Sequence, residues 1–420
     1  MPLPDLIEII PPTGPIHAAI TVPGSKSITN RALILAALAD GATTLRGALW
    51  SEDTQVMADC LGHLGCAVRV EPDPAEDANR TITVRGAGGL IPRAGTADAP
   101  LELFVGNAGT AARFLAALLC LGRGAYRLSG VPRMHERPQA ALFHALRALG
   151  YRMDAPNDRL PAVIHGTGPR PGRCTVSVAE SSQFASALLL SGGVAGWSVD
   201  IAQDGDAEEL PYVEMTRELV KVFPERGGEF QVEPDASSGS YFIAAGHLLG
   251  GISVPHWPAT GWQIDGEFPR FLPLPAEVSR ARDLGDSIMT AIVLAALAGR
   301  PVRFTDLGRL RVQECERVVA LRTELTKCGA LVIEEGDTLT VHPSRLHGAE
   351  IETYNDHRMA MCFAVLGLKV PGIRLRNPSC VKKTFPNFFQ KLAASQPHGL
   401  GVEIREAAGR RLARDELAAE

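Results

Sequence analysis

Alanine-rich apolar stretches alternate with short β-branched stretches along the chain. In the first example, residues 32–39 form an apolar run after the polar segment 23–31, and Gly41 ends it. The apolar run is long enough for about two helical turns, and residues 43–45 then have the composition of a strand. A polar start, an apolar helix, a glycine stop and a strand together predict an α/β unit.

This unit recurs six times. The polar starts of the six copies are Ser27, Asn107, Ser181, Ser237, Asp286 and Asn355. A second, amphipathic helix follows in several copies, for example in residues 53–64 and 317–328, with a strand after it. The third and fourth copies are short, and the fourth holds five prolines between residues 255 and 275, which predicts a truncated unit. Internal repetition at this scale defines the architecture.

Six copies predict an α/β fold of two lobes with three units each. We place one lobe at residues 23–234 and the other at residues 1–22 plus 235–420, with a strand over residues 6–10 joining the second lobe. Residues 397–420 form a C-terminal extension. Because residues 405–420 mix both charge signs, we expect a solvated terminal helix there.

Composition restricts the class of protein. The 420 residues are 45% hydrophobic and 21% charged, as in globular proteins, and the net charge of -5 argues against a nucleic-acid partner. The eight cysteines show no CxxC pair or zinc-like spacing, which indicates reduced core residues. No signal-peptide pattern and no apolar run of about 20 residues occurs, so we expect a cytoplasmic protein that does not enter a membrane. We also expect a monomer.

The six polar starts predict an anion-binding cleft between the lobes. A helix N-terminus offers unpaired N–H groups and a partial positive charge, which attract anions. Cations lie at or near these starts: Lys26, Arg31, Arg113, Arg133, Arg317, Arg358 and Lys383. The alternative is that the polar residues are only N-caps and the cations only surface charges. A phosphate-binding P-loop is not indicated, because the segment before Lys26 lacks the first glycine of that motif.

Several longer motifs resemble the 5-enolpyruvylshikimate-3-phosphate synthase family. They are residues 23–27 (PGSKS), 106–111 (GNAGTA), 133–138 (RMHERP), 181–183 (SSQ), 354–361 (YNDHRMAM) and 383–386 (KTFP). The resemblance covers residues 10–394. It implies two lobes of three α/β units around a pseudo-threefold axis, an inside-out α/β barrel. It also implies transfer of the enolpyruvyl group of phosphoenolpyruvate to a hydroxyl of a shikimate-type acceptor, without metal or cofactor.

The resemblance assigns binding residues by position. Those implied for phosphoenolpyruvate are Lys26, Gly109, Arg133, Arg317, Arg358 and Lys383. Those implied for the acceptor are Ser27, Arg31, Ser181, Ser182, Gln183, Tyr212 and Asp286, with Arg309 and Gln313 at altered positions. The acceptor hydroxyl must lose a proton and C3 of phosphoenolpyruvate must gain one. Asp286 is the expected base and Glu314, with Lys26, the expected proton donor. We expect His357 to orient other groups.

Four residues depart from the family pattern on the acceptor side. Gln313 replaces a lysine that would contact the acceptor's 3-phosphate, Glu209 replaces a serine, Glu180 an apolar residue and Arg309 an asparagine. Two opposite charges about 5 Å apart at an effective dielectric of about 20 attract by roughly 3 kcal/mol, so losing a cation beside a phosphate is costly. We therefore expect unphosphorylated shikimate or a relative as acceptor in a specialised pathway, with Arg309 paired to Glu209 or Glu180.

Other functions stay open. If Arg309 itself binds the phosphate, the chain is an authentic 3-phosphoshikimate 1-carboxyvinyltransferase of aromatic amino-acid biosynthesis. Elimination after transfer would make it a dehydratase (lyase) of shikimate. A non-catalytic binding relative would not need Asp286 and Glu314. Enolpyruvyl transfer to a UDP-sugar is disfavoured, because residues 121–135 lack the loop cysteine that goes with that activity.

Overall fold

The computed structural model describes residues 3–202 and 210–419. The chain divides into two compact units. Unit 1 comprises Met1–Pro23 and Pro234–Glu420, and unit 2 comprises Gly24–Glu233.

Unit 2 is one residue shorter at each end than the lobe expected over residues 23–234. Pro23 and Pro234 lie in unit 1, and both have carbonyls that are hydrogen-bonded within it. The carbonyl of Pro23 accepts the N–H of Asp235 at 2.8 Å, and that of Pro234 accepts the side-chain amide of Gln263 at 2.9 Å.

The N-terminal segment of unit 1 contributes β1 (Leu6–Ile10) and β2 (Ala18–Ala19). The described elements of unit 2 are α1 (Lys26–Leu38), β3 (Asp40–Leu49), α2 (Glu52–His63), β4 (Ala67–Pro72), β5 (Asn79–Ala87), β6 (Leu101–Phe104), α3 (Gly109–Leu119), β7 (Arg123–Ser129), α4 (Pro132–Glu136), α5 (Ala140–Ala148), β8 (Arg152–Asp154), a 3₁₀ helix (Pro156–Asp158), β9 (Ala162–Thr167), β10 (Gly172–Val176), α6 (Ser182–Ala195), β11 (Trp197–Ile201), α7 (Leu210–Val222) and β12 (Gly228–Gln231).

Unit 1 continues after residue 233. Its described elements there are α8 (Ala236–Leu249), β13 (Ile252–Ser253), a 3₁₀ helix (Ile264–Phe271), β14 (Glu277–Ser279), α9 (Ile288–Ala295), β15 (Val302–Thr305), a 3₁₀ helix (Gly308–Val312), α10 (Arg317–Lys327), β16 (Leu331–Glu335), β17 (Thr338–His342), β18 (Glu350–Ile351), α11 (His357–Gly367), β19 (Ile373–Arg376), a 3₁₀ helix (Pro378–Lys383), α12 (Phe388–Ala393), β20 (Glu403–Glu406) and a 3₁₀ helix (Arg414–Leu417).

The sheets repeat one topology. Among the described residues, four sheets have four strands, in the orders β12-β3-β5-β4, β6-β7-β9-β8, β14-β15-β17-β16 and β18-β19-β1-β20. In each, the first two strands are parallel and the other neighbours antiparallel. The pairs β10-β11 and β13-β2 are two-stranded and parallel, so the third and fourth copies keep only this first pair. This explains the shortness of these copies in the sequence.

Three apolar helices form the centre of each unit. In unit 2, α1, α3 and α6 contact one another, and in unit 1 α8, α9 and α11 do so. Every residue of α3 and of α11 is buried, as expected of a helix that is apolar on all sides. The repeated sheets pack around these helices, and the helix starts carry the polar residues of the motifs.

The C-terminal extension is not the solvated helix expected from its charges. Its strand β20 pairs with β1, with Ile9 opposite Ile404. Leu412 and Leu417 are buried behind it. Apolar residues at these spacings complete a sheet and its core, so residues 403–417 are an integral part of unit 1.

Candidate active site

The expected base, Asp286, lies among cations and an amide in unit 1. It directly precedes Ser287, the N-cap of α9. Its Oδ2 is 3.1 Å from Nη2 of Arg358, and its Oδ1 is 3.5 Å from Nη2 of Arg280. The same Oδ1 accepts a hydrogen bond from Nε2 of Gln313 at 3.5 Å.

The surroundings of Asp286 keep it ionised. Burial disfavours its charged form, but the attraction of Arg358, Arg317 and Arg280 is stronger and holds the pKa of the carboxyl well below its usual range. An anion bound to these arginines would weaken that attraction, and the carboxylate would become a better proton acceptor.

Arg317 connects the other charged groups of the cluster. Its Nε is 2.7 Å from Oδ2 of Asp356 and its Nη2 is 2.8 Å from Oε2 of Glu314, while Nη1 donates to Oε1 of Gln313. Lys383 lies on the other side of Glu314, with Nζ 3.8 Å from Oε1. The expected proton donor therefore lies between two cations in a largely buried site.

Asp356 is a site residue that the sequence analysis did not identify. As the N-cap of α11 it accepts the backbone N–H of Arg358 at 2.9 Å, while its carboxylate also binds Arg317. The preceding residues Tyr354 and Asn355 have φ angles of 55° and 54°, in the left-handed region that asparagine tolerates better than most residues. The position of Asp356 directly before an apolar helix is the feature of the sequence that could have identified it. His357 is buried beside it, with Nδ1 3.6 Å from Oδ1.

Helix starts in unit 1 already hold carboxylates of the protein. Asp235, Glu316 and Asp356 cap α8, α10 and α11 through their side chains. Each cap accepts one N–H of its helix start, so a carboxylate of the chain already occupies part of each of these three sites. The α1 and α3 starts in unit 2 have no side-chain cap.

Lys26 is the first residue of α1 in unit 2. Its Nζ is 3.5 Å from Oδ2 of the buried Asp53. The turn before it is tight, because a Cβ on Gly24 would lie 1.9 Å from the carbonyl oxygen of Gly47. The Gly24 N–H donates to Oδ1 of Asn79 at 2.8 Å, which fixes the backbone that presents Lys26.

Gly109 lies against two arginines. A Cβ on Gly109 would be 2.5 Å from Nη1 of Arg113 and 2.7 Å from Nη2 of Arg137. Arg137 is buried and donates to the carbonyl of Asn107 at 3.1 Å.

The geometry places Arg137, and not Arg133, beside Gly109. The Arg133 side chain is 42% exposed and pairs with Glu136 on the surface of α4. The helix ends at Glu136, and extended backbone at Arg137 directs that residue to Gly109 instead. Both arginines occur in the same motif, and only the position of the helix end distinguishes them.

Arg31, which is expected to bind the acceptor, is the centre of a buried hydrogen-bond network in unit 2. Arg31 donates through Nε to Oγ1 of Thr216 at 2.7 Å and through Nη2 to Oγ of Ser186 at 3.0 Å. It also donates to the carbonyls of Ser27 and Tyr212, at 2.9 and 3.4 Å. Burial lowers the pKa of Arg31 to about 10, against a smaller opposing effect of Tyr212.

A second chain of contacts joins the motifs at α3 and α6. Gln183 accepts from Nη1 of Arg113 at 2.9 Å and donates to Oγ1 of Thr110 at 3.3 Å. Ser181 caps α6 by accepting the Gln183 N–H, and Ser182 is the first, buried residue of that helix. The sequence-predicted residues Ser181, Ser182 and Gln183 therefore lie at one helix start.

The altered acceptor positions are only partly described. Glu180 is exposed, and Arg309 lies in the 3₁₀ helix Gly308–Val312. Glu209 lies outside the described residues, so its expected pairing with Arg309 stays a prediction. Gln313 is turned toward Asp286 and Arg317 through the bonds given above.

Within residues 3–202 and 210–419, no group of three or more His, Cys, Asp or Glu side chains is arranged to hold a metal ion. No helix in the same residues is long and apolar enough to cross a membrane. The cysteines are all free, and all but the half-buried Cys315 are buried.

The sequence is similar to one family of known proteins along most of its length. The sequence model of the family described as EPSP synthase (3-phosphoshikimate 1-carboxyvinyltransferase) matches residues 10–225 and 273–392. A protein of that name from Opitutus terrae is 39% identical, over 95% of this chain and all of the relative. One from Rhizobium etli (strain CIAT 652) is 40% identical, over 92% of this chain and 96% of the relative.

Solved structures show the same fold. EPSP synthase from Acinetobacter baumannii superposes with a TM-score of 0.75 at 21% identity, over 96% of this chain and all of that one. The enolpyruvyl transferase NikO from Streptomyces tendae has a TM-score of 0.69 at 17% identity, over 97% and 99% of the two chains. The expected fold of repeated α/β units is therefore confirmed.

Proposed function

Because the chain belongs to the EPSP synthase family of enolpyruvyl transferases, we propose that it transfers the enolpyruvyl group of phosphoenolpyruvate to a hydroxyl of 3-phosphoshikimate. Relatives 37 to 40% identical carry the name of this activity. The observation that carries the proposal is the charged cluster of unit 1. There Arg317 contacts the candidate acid Glu314, and Arg358 contacts the candidate base Asp286.

Phosphoenolpyruvate brings a carboxylate and a phosphate, which arginine binds with forked hydrogen bonds. In unit 1 we assign it Arg317, Arg358 and Lys383. In unit 2 we assign it Lys26 and Gly109. Arg137 takes the role first expected of Arg133, because its buried guanidinium lies at Gly109.

The proposed reaction has two stages. Asp286 takes the proton of the acceptor hydroxyl while Glu314, assisted by Lys26, protonates C3 of phosphoenolpyruvate, and the hydroxyl oxygen bonds to C2. In the second stage the Glu314 carboxylate takes back a proton from C3 of the tetrahedral intermediate as the C2–O bond to phosphate breaks, which restores the double bond and releases phosphate. The arginines stabilise the phosphate as its C–O bond breaks.

A second candidate acceptor, one without a 3-phosphate, has its own support. Gln313 is uncharged and its amide is engaged by Asp286 and Arg317, so this position supplies no cation to a phosphate. Glu180 adds an exposed negative charge just before Ser181. These features favour an acceptor without a 3-phosphate, such as shikimate.

The test is a direct comparison of acceptors. Purified protein is incubated with phosphoenolpyruvate and either 3-phosphoshikimate or shikimate, and phosphate release and product mass are measured. We expect turnover with an enolpyruvyl ether as product. The Asp286→Asn and Glu314→Gln variants serve as controls and should both lose activity by about a hundredfold or more.

The outcomes separate the candidates. A higher kcat/KM with 3-phosphoshikimate supports the first, and a higher value with shikimate supports the second. A product lacking both the enolpyruvyl group and a hydroxyl would identify elimination. If neither 3-phosphoshikimate nor shikimate gives phosphate release, the proposed function is contradicted.

A further inference from the structure

Asp265 is a buried carboxylate of unit 1 that the reaction above does not use. It lies in the 3₁₀ helix Ile264–Phe271 and is 4% exposed. Its Oδ1 accepts the backbone N–H of Ser287 at 2.8 Å, and its Oδ2 accepts the hydroxyl of Ser237. Because burying a carboxylate is costly, these contacts and a nearby cation are needed to hold it.

The two hydrogen bonds fix the backbone beside the base. Ser287 follows Asp286 directly, and Ser237 lies in the first turn of α8. Gln263, two residues before Asp265, is itself bound to the start of α8, where its Oε1 accepts the N–H of Ala236 at 3.0 Å. Asp265 therefore connects the start of α8 with Ser287, the residue that follows the base.

Arg358, which contacts the base, also acts electrostatically on Asp265. The charged groups that act on it are Asp286 before α9 and Arg358 from α11, while its polar contacts are Ser237 and Ser287. Burial raises the pKa of Asp265 and repulsion from Asp286 raises it further, against the smaller effects of Arg358 and the two hydrogen bonds. Arg358 is in turn attracted by both carboxylates.

We propose that Asp265 is a positioning residue for the transfer reaction, which holds Asp286 through the Ser287 amide and uses its own negative charge to offset the pull of Arg358 on that base. This inference rests on the proposed function. Without the charge of Asp265, less negative charge would oppose the attraction of Arg358 for Asp286, and the Asp286 carboxylate would be held in a more stable anionic form. The base would then be weaker, and Arg358 would be more available to an incoming anion.

Asp265→Asn tests the charge without removing the contacts. The Asn oxygen can still accept from the Ser287 N–H, and its amide can donate to the Ser237 hydroxyl. We expect kcat to fall about tenfold while KM for phosphoenolpyruvate falls about threefold, because the base weakens and Arg358 gains affinity for anions. The acidic limb of the kcat profile should move to lower pH.

A merely structural role predicts a different result. Loosening of the site would lower kcat, raise KM and leave the acidic limb in place, and that pattern would overturn the proposal. Unchanged kcat, KM and pH profile would overturn it as well.

A second pair of variants covers misfolding of Asp265→Asn. Ser237→Ala removes one hydrogen bond to Asp265, whereas Ser240→Ala removes a buried hydroxyl of the same helix that bonds the Ser237 carbonyl and Thr290. We expect the first to change kcat and KM and the second to change neither; equal effects would contradict the proposal.

A measurement of phosphoenolpyruvate binding tests this inference independently of the proposed function. Titration calorimetry with phosphoenolpyruvate alone needs no acceptor. Tighter binding by Asp265→Asn supports the charge effect even if no acceptor turns over, which would contradict only the proposed function. Equal or weaker binding, in a protein that does turn over, overturns the inference and leaves the function standing.

Discussion

Arg317 and Asp356 form a forked ion pair inside unit 1, with Nε 2.7 Å from Oδ2 and Nη2 3.2 Å from Oδ1. Both side chains are almost completely buried. The same carboxylate accepts the backbone N–H of Arg358 at the start of α11. One carboxylate therefore positions two arginines, one through its guanidinium and the other through its backbone.

Asp356→Asn should destabilise the protein strongly. The Asn side chain can still cap α11, but it leaves the buried Arg317 with less compensating charge, which costs about 3 kcal/mol. Urea unfolding measures the change. Glu229→Gln is the control, because it breaks the exposed pair with Arg46 and should leave the unfolding midpoint unchanged. Equal midpoints for both variants would contradict the assigned role of Asp356.

Gly109→Ala should weaken binding of phosphoenolpyruvate. The added Cβ would overlap the Arg113 and Arg137 guanidinium groups, so both must move. We expect KM for phosphoenolpyruvate to rise about tenfold, with a smaller change in KM for the acceptor. Gly62→Ala, in α2, is the control because nothing lies within 4 Å of its Cβ. An unchanged KM in Gly109→Ala would show that the guanidinium positions are unimportant.

Arg137→Gln and Arg133→Gln should differ sharply. The buried Arg137 lies at Gly109, whereas Arg133 pairs with Glu136 on the surface of α4. Loss of a charged contact to bound phosphoenolpyruvate should raise its KM by about a hundredfold in the first variant, and loss of an exposed pair should change little in the second. The reverse order in steady-state kinetics would restore the original expectation for Arg133.

Asp286→Asn should destabilise the protein at neutral pH and less so in acid. The pKa of Asp286 in the folded state lies below the usual 3.8. The carboxylate therefore contributes stability that is fully present above the unfolded pKa and is lost as the pH falls through the lower, folded value. Thermal unfolding of the parent protein and of Asp286→Asn is measured between about pH 7 and pH 3. The difference between their unfolding midpoints should close below about pH 4.

Asp265→Asn is the matched control, because its effect on the stability of the protein should have the opposite sign. Its pKa is raised in the folded state, so the ionised carboxylate opposes folding once the pH exceeds that value. At neutral pH this variant should be as stable as the parent protein or more stable. If the difference in unfolding midpoint between each variant and the parent protein does not change with pH, the assigned charge environment is contradicted.

Much of the fold could be predicted from local patterns. Six polar starts before apolar helices indicated the repeated units, and the prolines between residues 255 and 275 indicated the truncated copy. The error at residues 405–420 has a clear cause. Mixed charges suit an exposed helix, but strand β20 forms because β1, almost 400 residues earlier in the chain, offers it an edge.

The site was predictable where a motif carries its residues, and not where packing selects them. Lys26, Asp286 and Arg358 stand in or beside recognisable helix starts. Asp265 lies in an irregular proline-rich segment, and its partners Ser237 and Ser287 are distant in sequence, so no periodicity could identify it. Such residues acquire a role only through tertiary contacts.

Gln313→Lys should move acceptor preference toward 3-phosphoshikimate. A cation about 5 Å from a phosphate is worth roughly 3 kcal/mol at an effective dielectric of about 20, so even partial screening leaves at least about a tenfold effect. Lysine also removes the amide contacts to Asp286 and Arg317 and adds positive charge beside the base. That damage affects both acceptors alike, so the ratio of their kcat/KM values isolates the phosphate interaction.

Gln313→Met provides the matched control, because it loses the same amide contacts without gaining charge. We expect both variants to lower turnover and only Gln313→Lys to raise the ratio of 3-phosphoshikimate to shikimate. If the ratio does not change in either variant, position 313 does not face the phosphate. The acceptor would then be selected by Arg309 or by the helix start at Ser181.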